Sequence, residues 1–96
     1  MPTHTEEPQF WVDDLGLSLH DRAAFRRGAQ KLVHDLAIGA FRKGLRVKRV
    51  QGWRGVWEMT WADDGRATFS YGDSVLPGHP HVIWRRVGSH DIFDNP

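Results

Sequence analysis

A histidine and an aspartate, His90 and Asp91, stand just past Gly88 at the end of the apolar run HVIWRRVG, and that run itself carries Arg85 and Arg86. Arg66 follows the turn-like stretch ADDG, and Arg42, Lys43, Arg46, Lys48, Arg49 and Arg54 fall between Asp35 and Glu58 with no acid among them. Guanidinium groups stabilise a dianionic phosphorane, and a free imidazole, with a pKa of about 6.5, gives or takes a proton at neutral pH. Together they form a metal-free set of groups for attack of an RNA 2′-hydroxyl on its own phosphate. Read from the residues alone, the chain is a nucleic-acid-binding domain with some catalytic potential. The basic segment 42–54 attracts phosphates, and a solvated charged face is the competing reading of the same residues.

Other chemistries fit less well. Ser89, His90 and Asp91 spell a hydrolase triad, but consecutive residues on an extended chain point in opposite directions and cannot relay a proton along a line. His79 and His81 flank Pro80 and could join His90 and Asp91 around a divalent ion, yet the proline disturbs the strand and no motif fixes a third ligand. No metal and no cofactor are therefore expected. QGWRG connects no strand to a helix, so its glycines mark a turn and not a phosphate loop. Trp53 within it could stack on a base beside Arg54, with hairpin packing as the plainer use.

These groups need a scaffold. Ser18 with an acid at Asp21 predicts a helix start, the spacing of Phe25, Ala29, Leu32, Val33 and Leu36 predicts a helix from about Leu19 to Ile38, and Gly39 offers its cap. LRVKRV, GVWEMTW, RATFSY and HVIWRRV predict four strands, so the expected fold class is α+β, an N-terminal helix or helices packed on an antiparallel sheet. ADDG is expected to be a hairpin turn with Gly65 at positive φ. Alternation sends Ala67, Phe69 and Tyr71 to the core face, and Arg66, Thr68 and Ser70 to a polar one. Residues 1–9 are expected to be a frayed, disordered tail, leaving a domain over residues 10–96.

A chain of 96 residues makes one domain, and it lacks cysteine. No stretch nears the roughly 20 apolar residues of a membrane span, and no signal peptide is legible, so a cytoplasmic protein with no membrane association is expected. The net charge of +1 conceals four basic and six acidic residues before position 42 against nine and six from position 42 onward.

GLRVKRVQGWRGVWEMTW, DGRATFSYG and HVIWRRVGSHDIF, preceded by an alanine- and leucine-rich helix, together resemble the RelE/ParE superfamily of type II toxins over about residues 10–93. The resemblance implies a cognate antitoxin partner and, for the RelE-like branch, metal-independent endoribonuclease action on mRNA at the ribosome. It implies that Arg66 stabilises the scissile phosphate and that His90 is the acid–base group; from the residues alone Arg86, or else Arg85, is expected beside them on the polar face. Arg46, Lys48, Arg49 and Arg54 would hold RNA, and Phe93 falls near an aromatic that closes the site. Thr60 stands where many relatives carry a cation, and no N-terminal strand is legible, since FWVDDLGL aligns with the first family helix. A ParE-like toxin that binds DNA gyrase, or an inactive relative that only binds RNA or a partner, is the alternative.

Overall fold

The long helix is fixed at both ends by its own sequence. A computed structural model describes residues 2–96. In it the Ser18 hydroxyl accepts the Asp21 N–H at the helix start, and Gly39 closes the other end at φ 82°, giving a helix over Leu19–Ile38 (α2). Phe25, Gly28, Leu32 and Asp35 make its buried stripe. Gly28 permits the close approach, since a Cβ there would lie 3.0 Å from the Trp61 Cβ. Asp35 is buried and accepts from the Arg42 backbone N–H and from Nε and Nη2 of its guanidinium, each at 2.9 Å, which folds the following linker back on the helix. The Arg42 side chain, and then its backbone N–H, hold the Asp35 carboxyl at about 2, below the ordinary 3.8.

Beneath the helix lies a sheet of five strands: β1 (Thr3–Glu6), β2 (Lys48–Arg49), β3 (Trp57–Thr60), β4 (Arg66–Gly72) and β5 (His81–Gly88), in the order β1-β5-β4-β3-β2. Phe69, Val82 and Trp84 of the sheet close on Phe25 and Leu32, with Phe25 edge-on to Trp84 at 5.2 Å. β3, β4 and β5 fall where alternation predicts them, and α2 has the predicted ends.

Three expectations need correction. Residues 3–6 are no frayed tail: β1 pairs in parallel with β5, Thr3 opposite His81 through Glu6 opposite Trp84, so the sheet is mixed. Its polar sequence hides it, because an edge strand is held by backbone bonds, here supplemented by the Thr3 and Thr5 hydroxyls on the two ring nitrogens of His81 at 2.6 and 3.1 Å. FWVDDLGL, in keeping with its alignment to the first family helix, contributes to a helix over Pro8–Leu15 (α1), with proline in its first turn where a missing N–H costs nothing. Asp13 of α1 then takes up the edge of β5, its Oδ2 accepting the Val87 N–H at 3.2 Å. Gly65 does not adopt positive φ; it is needed because a Cβ there would sit 2.6 Å from the Trp61 ring. LRVKRV yields only the two-residue strand β2, preceded by a 3-10 turn at Lys43–Leu45.

Candidate active site

Arg66 opens β4 and stands in register with Thr60 of β3 on one side and Gly88 of β5 on the other. The residues after Gly88 fold straight into a 3-10 turn, His90–Asp94, capped by the Ser89 hydroxyl accepting the Asp91 N–H. Glycine at 88 leaves room for Ile92, since a Cβ would lie 3.0 Å from Ile92 Cγ2, and Ile92 is the buried residue of the turn. His90 is left exposed, edge-on to Phe93 at 4.8 Å. Ser89, His90 and Asp91 are therefore a helix cap and not a relay. Arg66 and His90 lie at the same end of the sheet.

The Arg66 guanidinium is tied to the hairpin that precedes it. Nη1 donates to the carbonyls of Ala62, Asp63 and Gly65 at 3.2, 3.2 and 3.0 Å. Carbonyls fix its orientation without neutralising it, and among the described residues no carboxylate forms an ion pair with Arg66 or with His90. A cation held this way is oriented in advance for an incoming anion.

Arg85 and Arg86 break the alternation expected of them. The pairing runs Thr68 to Arg86 and then Phe69 to Trp84, a β-bulge that leaves Arg85 without a partner of its own. Both side chains consequently reach the same segment, Arg85 Nε donating to the Pro96 carbonyl at 3.1 Å and Arg86 Nη1 to that of Asn95 at 3.0 Å. Thr68 donates to the Pro96 carbonyl as well and is fully buried, so residues 95–96 roof this part of the expected polar face. Arg86, expected beside the scissile phosphate, has its Nε 2.7 Å from Asp13 Oδ2 and its Nη2 3.2 Å from Oδ1. With Asn95 this engages Nε and both terminal nitrogens, and the geometry is that of a brace between α1 and β5.

The basic segment is divided rather than gathered. Arg46, with Arg42, lines a cleft that also reaches Arg66. Lys48 and Arg49 occupy the edge strand β2, where Lys48 Nζ lies 3.9 Å from Glu58 and the Arg49 guanidinium sits 5.2 Å from the Trp57 ring centre. Arg54 is exposed in the turn between β2 and β3, beside the exposed Trp53. Among the described residues no three His, Cys, Asp or Glu side chains cluster as a metal site. No helix there is long and apolar enough to cross a membrane.

Glu58 is a candidate that the motif reading passed over. It is the sole acid in strands β2 to β5, it pairs in register with Thr68, and so it stands diagonal to Arg66 across the β3–β4 ladder. Diagonal neighbours are roughly 7 to 8 Å apart, within reach of one bound phosphodiester. The signal was present in WEMT, whose alternation puts Glu58 and Thr60 on the face of Thr68 and Arg66.

Compared by sequence, the chain matches no family model and no curated protein. Compared by structure, it is similar to YafQ from E. coli strain BL21(DE3), with 14% identity, a TM-score of 0.64, and coverage of 95% of this chain and 96% of that one. A chain of the E. coli DinJ-YafQ toxin-antitoxin complex matches at 15% identity and a TM-score of 0.66, covering 94% and 93%. A chain of the RelB-RelE antitoxin-toxin complex from Methanococcus jannaschii matches at 15% and 0.61, covering 95% and 98%. The likeness spans nearly the whole length of each.

Proposed function

We propose that this chain, which has the fold of the RelE-type toxins, is the toxin of a toxin–antitoxin pair and cuts mRNA by metal-independent attack of a 2′-hydroxyl on the adjacent phosphate. The observation that carries the reading is the pairing of an immobilised, unneutralised Arg66 with an exposed His90 at one end of the sheet. Glu58 takes the proton of the attacking 2′-hydroxyl, and the new O–P bond forms as the 5′-oxygen leaves. Arg66 stabilises the phosphorane, and His90, in its protonated form, gives its proton to the departing oxygen, leaving a 2′,3′-cyclic phosphate and a free 5′-hydroxyl. Lys48, Arg49, Arg54 and Arg46 hold the backbone on either side, Phe93 steadies His90, and Arg86 positions β5 against α1.

DinJ-YafQ and RelB-RelE are toxin–antitoxin complexes, and a cognate antitoxin is accordingly the proposed protein partner. The exposed apolar side chains of α1, Trp11, Val12 and Leu15, support this, being of the kind a partner covers.

The test is induced expression with and without the antitoxin, with mRNA ends mapped and ribosome-bound transcripts compared with free ones. Wild type should arrest growth and generate new 5′ ends, and His90→Gln should do neither while remaining folded by circular dichroism. Thr60, beside Arg66 where a cation is expected, favours a second reading, a binder of gyrase or another partner without cleavage. Growth arrest by a folded His90→Gln protein, with no mRNA ends from the wild type, would establish that reading instead.

A further inference from the structure

Arg66 borders a cleft of about 550 Å³ between α2, the linker after it and the β3–β4 hairpin. Five of the lining side chains are cations, Arg27, Lys31, Arg42, Arg46 and Arg66, and Asp63 is the sole acid. Arg42 is matched by Asp35, but among the described residues Arg27, Lys31, Arg46 and Arg66 form no ion pair. Arg27 and Lys31 are one helical turn apart and flank Gly28, whose contact with Trp61 seats α2 on the hairpin. The buried indole N–H of Trp61, at the cleft wall, has no hydrogen-bond partner among the described residues. Four unpaired cations crowded into a concavity repel one another, and an anion entering there relieves that repulsion in a setting that focuses the field.

We propose that this cleft binds the phosphodiester backbone of RNA, with Arg27 and Lys31 of α2 and Arg46 of the linker holding phosphates next to the one at Arg66. The inference rests on the nuclease reading for the identity of the Arg66 phosphate, and it adds a path for the strand over α2. The guanidinium fork suits phosphate oxygens, and Arg66 is common to the cleft and the cutting site, so a strand leaving one enters the other. The bound RNA is either the message being cut or folded ribosomal RNA alongside it; both present the same backbone.

The experiment uses the full chain with Arg27→Gln and Lys31→Gln together, both exposed positions on α2, checked for folding by circular dichroism. The probes are a short single-stranded 2′-O-methyl RNA, which cannot be cut, and purified small ribosomal subunits, each titrated over a range of salt. On the single strand the double variant should bind more weakly, and the slope of log affinity against log salt should shrink by about 1.4, two contacts at roughly 0.7 each. Loss on the oligonucleotide supports the cleft with the message as its ligand, and loss confined to ribosomal subunits supports it with ribosomal RNA. Unchanged affinity and slope on both probes overturns it, as does a wild type that binds neither. So does a loss seen only with poly-glutamate, titrated as a third probe, which assigns the cleft to an acidic protein segment. A wild type whose RNA binding depends on the cleft but which leaves mRNA uncut keeps this proposal and removes the nuclease reading.

Discussion

Around Arg86 and Arg42 the molecule neutralises its cations; around Arg66 it leaves them charged. Arg86 meets Asp13 across α1 and β5, and Arg42 meets the buried Asp35, each through two side-chain nitrogens on a carboxylate. Arg66 is held instead through one terminal nitrogen by three carbonyls, which orient a guanidinium without cancelling its charge. In sequence the three look alike. Their partners separate arginines that hold elements together from an arginine available to a ligand, because a carboxylate already in place has to be displaced before a phosphate can bind.

That contrast can be broken most decisively by activity. Arg66→Gln should lower RNA cleavage on the order of 100- to 1,000-fold with the melting temperature unchanged, as for removal of a preorganised donor to developing charge. Arg86→Gln should do the reverse, lowering the melting temperature first. Parallel cleavage assays and thermal melts decide it, and equal rate losses in two equally stable variants would erase the distinction.

The brace side can be tested through stability. Asp13→Ala leaves Arg86 unpaired and bares the Val87 N–H, so urea unfolding should show a loss of about 2 to 3 kcal/mol. Gly65→Ala drives a methyl into the Trp61 ring beside the Arg66 clamp and should cost about 1 to 3 kcal/mol by the same measurement. The smallest effect is on pH dependence. The Asp35 carboxyl lies at about 2, against 3.8 unperturbed, so it favours the fold as the carboxylate. Its contribution is complete above about pH 4 and is lost as pH falls through about 2. Melts of wild type and Asp35→Asn should therefore converge at the acid end, and a constant gap between them would show that the Arg42 contact is not what matters.

Where local rules govern, the sequence was readable. Ser18 and Gly39 delimit α2 because caps are chemical necessities at helix ends, and Arg66 was placed at the start of β4 by turn and alternation together. Strand β1 was unreadable because THTE has no apolar face, its partner lying more than seventy residues away and its hold being backbone and hydroxyl bonds. The bulge at Arg85 defeated alternation, since nothing in WRRV announces an extra residue. The roof formed by Asn95 and Pro96, and the capture of Arg86 by Asp13, follow no period and were invisible for that reason. Glu58 was legible by alternation, but within WEMT nothing distinguishes it from an ordinary strand residue.

The parallel pairing of β1 with β5 has a kinetic consequence. β1 is the outer strand and has no neighbour but β5, the last strand in the chain, so its hydrogen bonds wait for the largest loop closure in the molecule. The backbone hydrogen bonds within α2 and within the β3–β4 hairpin close short loops and can form early, whereas β1 is expected to dock last and, when the protein opens, to leave first. The same late event brings the second half of β5 under α1, through Asp13 and Val87, and β5 carries Gly88 and the approach to His90. A folding chain therefore gathers its core before it seats the second half of β5, and the edge at β1 is where the final step of that order is held.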